Sequence, residues 1–221
     1  GGFIDGVASL YSAAGTVTDA TWHHVVWTWD GTYSKIYIDG GLSATAGSTA
    51  RPPSDTTGMR IGSWSHSTAR EFDGLMDEVA IWNSALTSAQ INDIYNGGVP
   101  AALTSLSPLG WWRLGENDSG AGVTITDQGS GTNNGTLTNG PTFSRSVPAE
   151  DATWNNRSIE FDGVNEYADC GTGTGDALGR VLTMDYLRLA HSLVLRVFLT
   201  SSSSPARKFG FVLTSLDGSV K

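Results

Sequence analysis

The chain has 221 residues, a net charge of −9 and a pI near 4.7, with 28 glycines, 8 tryptophans and few charged groups for its length. That balance excludes a phosphate-binding surface: nothing concentrates Lys and Arg against a nucleic acid or an anionic membrane, and no apolar run is long enough to span a bilayer. The single cysteine, Cys170, excludes an internal disulfide framework and reads as a buried thiol.

Gly1 stands where a Met would begin a gene product, which reads as a fragment of a longer protein with no targeting signal in view. From Gly1 to Tyr11 and from Thr16 to Thr21 we expect a strand, a turn at Asp5-Gly6 and a lead-in. Trp22 to Gly40 is a β-hairpin: Val25, Val26, Trp27, Thr28 and Trp29 are β-branched or aromatic, Asp30-Gly31-Thr32 turns, and Lys35 to Asp39 alternates. Both parities of the first strand are apolar, which predicts cover on both sides. The second strand puts Ile36 and Ile38 on one face and Lys35, Tyr37 and Asp39 on the other, so the pair fits a sandwich.

Leu42 to Gly58 is Ser, Thr, Ala, Gly and Pro and reads as a loop, with Arg51-Pro52-Pro53 barring regular pairing. Met59 to Trp64 is a short strand. Glu71 to Trp82 is a longer one, with a bend or bulge expected at Asp73-Gly74. The helix signal follows: Thr87 as N-cap with Gln90 three residues on, Leu86 packing on Ile91, Ile91, Ile94 and Tyr95 on one face, and Gly97 at the end. Pro100 and Pro108 mark a linker. Leu109 to Gly115 is again a strand, and Ser158 to Gly171 a strand pair built on Phe161-Asp162-Gly163.

The residues Trp22-His23-His24-Val25 leading to Tyr37, Asp39 and Gly40, and the later Phe72-Asp73-Gly74-Leu75 with Asp77-Glu78-Val79, resemble laminin-G-like jelly-roll domains of the concanavalin A-like lectin and glucanase superfamily. The stretch Asp127 to Leu137 with Asn139-Gly140-Pro141 resembles the opening of such a repeat, of the kind seen in bacterial surface and phage structural proteins. The resemblance implies an all-β, antiparallel jelly-roll β-sandwich with one short helix at the end of the first repeat. Residues 1–99 then read as the C-terminal part of one repeat, 100–108 as a linker, 109–179 as the N-terminal part of a second, and 180–221 as an atypical tail.

In that tail Arg180, Arg188, Arg196, Arg207, Lys208 and Lys221 outnumber Asp185 and Asp217, and Leu replaces Gly as the prevailing residue. It reads as the product of a frameshift or truncation near Gly179, or as disordered. The other reading is a basic amphipathic helix over about Leu182 to Leu199 against a membrane surface or a partner.

The superfamily includes glycoside hydrolases, so Glu71, Asp73, Asp77 and Glu78 are tested first. The glucanase pattern Glu-x-Asp-x-x-Glu needs Glu where Met76 stands, and strand parity separates Glu71 and Asp73 from Glu78 unless the glycine bend reverses it. We therefore expect no enzyme activity. His23 and His24 are neighbours in a strand, so their rings point to opposite faces and cannot share a metal. Trp64 and His66, in the polar turn that ends in Arg70, form a candidate sugar rim, with Trp64 in the core as the alternative; Tyr33 and Trp29 near the hairpin turn are ambiguous in the same way.

The resemblance also implies calcium at the sandwich rim, with Asp5, Asp39, Asp73, Asp118, Asp127 and Asp162 as candidates; turn chemistry alone accounts for most of them. Asn117, Asn134 and Asn156 sit in glycosylation acceptor patterns. The expected function is non-catalytic binding of glycans or glycoconjugates, or adhesion, by a multidomain protein that is extracellular, at a cell surface or on a virion, with neighbouring repeats as partners. A structural spacer repeat is the competing class, and glycoside hydrolysis a third.

Overall fold

The structure is a computed structural model and describes residues 10–47, 59–63, 71–118, 120–149, 154–170 and 192–199. Two antiparallel sheets form a jelly-roll β-sandwich. The larger contains β1 (Trp22–Trp29), β2 (Tyr33–Ile38), β3 (Gly41–Gly47), β5 (Asp73–Trp82), β6 (Gly110–Trp112), β9 (Thr142–Ser144), β10 (Ser158–Asp162) and β12 (Ser192–Leu199). The smaller contains β4 (Arg60–Ile61), β7 (Thr124–Ile125), β8 (Gly135–Thr138) and β11 (Tyr167–Asp169). The larger sheet runs β3-β2-β1-β12-β5-β10-β9, with β6 also paired to β5. Strands from 22–82 and from 110–199 thus share one sheet.

Two apolar layers lie on the two faces of that sheet. Val25, Trp27, Ile36, Ile38, Met76, Val79, Ile81, Ile159 and Phe161 face the smaller sheet's Ile61, Ile125, Leu137 and Ala168. Val26, Tyr37, Ala80, Trp82, Trp111 and Val194 face the other way, under α1 (Ser88–Tyr95) with its Ile91 and Ile94, and under Leu86 and Leu103. β1 is buried on both parities, as its composition predicts. In β2, Ile36 and Ile38 join one layer and Tyr37 the other.

The Trp-His-His and Tyr-x-Asp-Gly motifs meet in one contact. The Asp39 carboxylate accepts from the His24 backbone N–H at 2.9 Å and lies 2.8 Å from His23 Nδ1. His23 Nε2 accepts from the Thr18 backbone N–H at 3.1 Å, so Nδ1 is the donor toward Asp39. Asp39 and Gly40 both have positive φ, and a Cβ on Gly40 would stand 2.9 Å from the Tyr95 ring. Glycine is therefore required where the hairpin passes under the helix.

The helix starts as its sequence predicts. The Thr87 hydroxyl accepts from the Gln90 N–H at 3.2 Å, and the Gln90 side chain accepts from the Thr87 N–H at 2.9 Å. Its end is one residue earlier than expected, because Asn96 takes the left-handed cap (φ 48°) and Gly97 follows in the same region. Leu42 to Gly47 is not loop but most of β3, which among the described residues is an edge strand paired only to β2; the remainder of that expected loop, and Gly1 to Ser9, lie outside the described residues.

Ser192–Leu199 is not the end of an amphipathic helix. It is a strand between β1 and β5, paired antiparallel to both. The Ser192 hydroxyl donates to Ser84 O at 2.9 Å and accepts from the Leu86 N–H at 2.7 Å, which fastens the strand to the turn before the helix. Among the described residues no helix is long and apolar enough to cross a membrane.

Candidate functional site

The sequence-predicted residues do not come together. Trp64, His66 and Asp5 lie outside the described residues. Trp29 is core, 6 % exposed, whereas Tyr33 at the hairpin turn is 48 % exposed. Asp30 accepts from the Thr32 and Tyr33 backbone N–H groups at 2.9 and 2.7 Å, and the Lys35 ammonium lies 6.0 Å from the Tyr33 ring centre. The result is an exposed aromatic face beside one acid and one base.

Four of the expected rim aspartates, Asp39, Asp118, Asp127 and Asp162, are occupied by local structure. Asp39 holds the two histidines. Asp118 accepts from the Thr126 N–H at 2.7 Å, Asp162 from the Val164 N–H at 2.8 Å, and Asp127 from the N–H groups of Trp111, Gly129 and Asn133. These loop carboxylates do not converge. His23 and His24 do point apart, His24 toward Tyr95, with ring centres 5.8 Å apart.

What the structure does bring together is Asp77, Glu78 and Glu116. Met76, Val79 and Ile81 all face the smaller sheet, although 76 and 79 differ in parity, so one extra residue must sit between them. That residue is Glu78, with φ 52°, opposite a register shift between Val194 and Arg196 on β12. The bulge lies at Glu78 and not at Asp73-Gly74 as expected. It turns Asp77 and Glu78 to the same, helix-covered side. Glu116 arrives from the loop after β6, where Leu114 (φ 56°) and Gly115 (φ 144°) reverse the chain. One carboxylate oxygen from each of the three lies within 4.8 Å of the other two.

Segments after residue 110 hold two of the three. Glu78 accepts from Trp111 Nε1 at 2.6 Å and from Arg113 Nε at 2.9 Å. The Arg113 guanidinium lies 4.0 Å from the Trp154 ring centre and donates to Trp154 O. Glu116 Oε1 accepts from the Asn156 and Arg157 N–H groups at 2.9 and 2.8 Å, but its Oε2 has no partner. Asp77 is 0 % exposed and neither of its oxygens has a hydrogen-bond partner.

Arg196 lies beside them on β12, yet its N–H groups go to the carbonyls of Ile94, Tyr95, Gly98 and Val99 at 2.9–3.2 Å. These are the open carbonyls of the helix end, which a cation suits. A void of about 10 Å³ beside Glu78 and Arg196 is walled by Ile94, Pro100, Leu103 and Val194.

Burial raises the Asp77 carboxyl well above the usual range, and the charges of Glu78 and Glu116 add to that. Burial lifts Glu78 to about 7 against the pull of Arg113 and Trp111, and raises Glu116 against its two N–H bonds. Burial lowers Arg196. Retaining glycoside hydrolysis asks for two carboxyls roughly 5 Å apart facing a cleft. Here the spacing is met but the residues lie under the helix, with a water-sized void beside them, and no pyranose reaches them.

The sequence presents Asp77 and Glu78 only as catalytic candidates and Arg196 only as one of the basic residues of the tail, and it gives no sign of Glu116. The acidic pair Asp77-Glu78 in an otherwise apolar strand was the available signal. Compared with known proteins, residues 4–92 match the family model for the concanavalin A-like lectin/glucanases superfamily, in its laminin-G form. No curated protein and no solved structure matches the chain. The matched segment holds β1 to β5 and most of α1, while Glu116 and Arg196 lie beyond it. Two antiparallel sheets packed as a jelly-roll sandwich with one short helix are consistent with the concanavalin A-like lectin/glucanase superfamily, whose model residues 4–92 match.

Proposed function

We propose that the chain is a non-catalytic glycan-binding module of a multidomain protein displayed outside the cell or on a virion, working beside neighbouring repeats. The superfamily is compatible with carbohydrate binding, and the observation that carries the reading is Tyr33. A large aromatic ring 48 % exposed at the tip of the β1–β2 hairpin, flanked by Asp30 and Lys35, offers the apolar face of a pyranose a stacking surface with polar groups beside it. Trp64 and His66 are retained as candidates for the same role. The test is a glycan array probed with the intact chain. Binding that Tyr33→Ala, Trp64→Ala or His66→Ala abolishes, at unchanged melting temperature, supports the reading.

A structural spacer is the second reading, and the burial of the tryptophans favours it. Trp27, Trp29, Trp82, Trp111 and Trp112 are all core residues, so the high tryptophan content is explained by packing. No binding across a broad panel, with the chain folded, decides for the spacer.

A further inference from the structure

We propose that Asp77, Glu78 and Glu116 form a buried site for one hard divalent cation of the calcium class, clamped between β5, the loop after β6 and the end of α1.

Three features carry this. First, Asp77 is wholly enclosed and aimed at the other two carboxylates, with neither oxygen hydrogen-bonded, and Glu116 Oε2 is enclosed and open in the same way. A buried carboxylate without donors costs several kcal/mol as a bare ion, so something must neutralise it. Second, the spacing suits a cation. One oxygen from each carboxylate lies within 4.8 Å of the other two, and ligands each about 2.3–2.6 Å from a calcium ion stand up to roughly 5 Å apart.

Third, both neighbouring arginines are engaged. Arg113 is bound to Glu78 and Trp154, and Arg196 to four main-chain carbonyls, so neither guanidinium donates to Asp77. The site differs from the loop aspartates Asp39, Asp118, Asp127 and Asp162, each of which accepts at least one backbone N–H. It is independent of glycan binding at Tyr33.

The experiment uses the intact chain freed of metal with a chelator. Calcium is titrated by calorimetry, terbium is titrated by luminescence sensitised through Trp111, whose indole N–H contacts Glu78, and thermal unfolding is recorded with and without calcium. The expected result is one ion per chain, a rise in melting temperature of at least about 2–4 °C, and terbium emission that calcium displaces. Asp77→Asn and Glu116→Gln each weaken binding more than about tenfold while the circular dichroism of the metal-free protein is unchanged; both swaps keep side-chain volume. No heat, no sensitised emission and no calcium-dependent melting shift in the folded wild type overturn the proposal. So does calcium binding that Asp77→Asn leaves intact. An Asp77→Asn chain more stable than the wild type at every calcium concentration also overturns it, because the residue is then a buried neutral acid.

Discussion

Asp77 and Arg196 are register partners on adjacent central strands, and they do not pair. The guanidinium reaches past the carboxylate to the carbonyls that α1 leaves open at its C-terminal end. A residue in β12 therefore caps a helix about a hundred positions earlier in the chain.

Arg196→Met removes this cap and leaves the buried Ile94 carbonyl and the partly buried carbonyls of Tyr95, Gly98 and Val99 without this donor. We expect a loss of about 3 kcal/mol in urea unfolding, and no rescue by Arg196→Lys, since one ammonium cannot serve four carbonyls from the same stem. A change below about 1 kcal/mol in either variant contradicts the capping role.

His24 sets a dependence on acid. Burial first, and the nearby Arg196 second, lower its pKa from 6.5 to about 3, against the pull of Asp39. The unfolded chain thus binds more protons between those values. The contribution is fully present above about pH 6.5 and is lost as pH falls toward about 3, at roughly 1.4 kcal/mol per unit. Glu78, raised to about 7, works in the opposite direction over part of this range. The contrast between His24→Phe and wild type isolates the histidine: the variant, whose ring still stacks on Tyr95, should gain relative stability as pH drops from 6.5 to 4. Parallel stability curves would rule this out.

At Gly62, φ is +91° and a Cβ would stand 2.6 Å from the ring of Phe161, itself 1 % exposed. Gly62→Ala combines backbone strain with overpacking, so we expect a loss of about 2–4 kcal/mol and a lower urea midpoint at unchanged slope. Gly31→Ala makes the control, because its φ is also positive but nothing lies within 4 Å. Equal losses at the two positions would mean that packing against Phe161 contributes nothing.

Cys170 is 3 % exposed, and burial raises its thiol above the ordinary range. Alkylation in the folded protein should follow unfolding, with a rate that rises in step with the unfolded fraction in urea. Rapid labelling in native buffer would show an accessible thiol.

The sequence was most legible where the signal is local. The β1–β2 hairpin shows in its turn residues and alternation, and the helix start shows in Thr87 and Gln90, because a capping box is closed within four residues. The bulge at Glu78 was not legible. It is imposed by the register between β5 and β12, and nothing in Asp-Glu-Val says that two consecutive acids will share a face. β3 was misread because Ser, Thr, Ala and Gly carry little strand propensity, and pairing to β2 decides the matter. Ser192–Leu199 falls in the tail read as frameshifted or disordered, with a basic helix as the other reading; a strand buried in mid-sheet need not alternate, so it carries no period-two signal. Of the site, Asp77 and Glu78 were visible as unusual acids in an apolar strand. Glu116 was not, because the positive φ of Leu114 and Gly115 that bring it back is invisible in the sequence.

The place of β12 also fixes a timetable. Synthesis delivers β1 and β5 long before Ser192–Leu199, and those two strands do not pair with each other but each with β12. Until β12 leaves the ribosome, two long, apolar edges stay open, each a template for another nascent chain. The sandwich cannot assemble in the order in which it is made, and its closing step waits for residues that join positions more than a hundred apart. A protein built this way needs its sticky edges shielded during translation, and a truncation that spares every strand of the matched segment still leaves its sheet split down the middle.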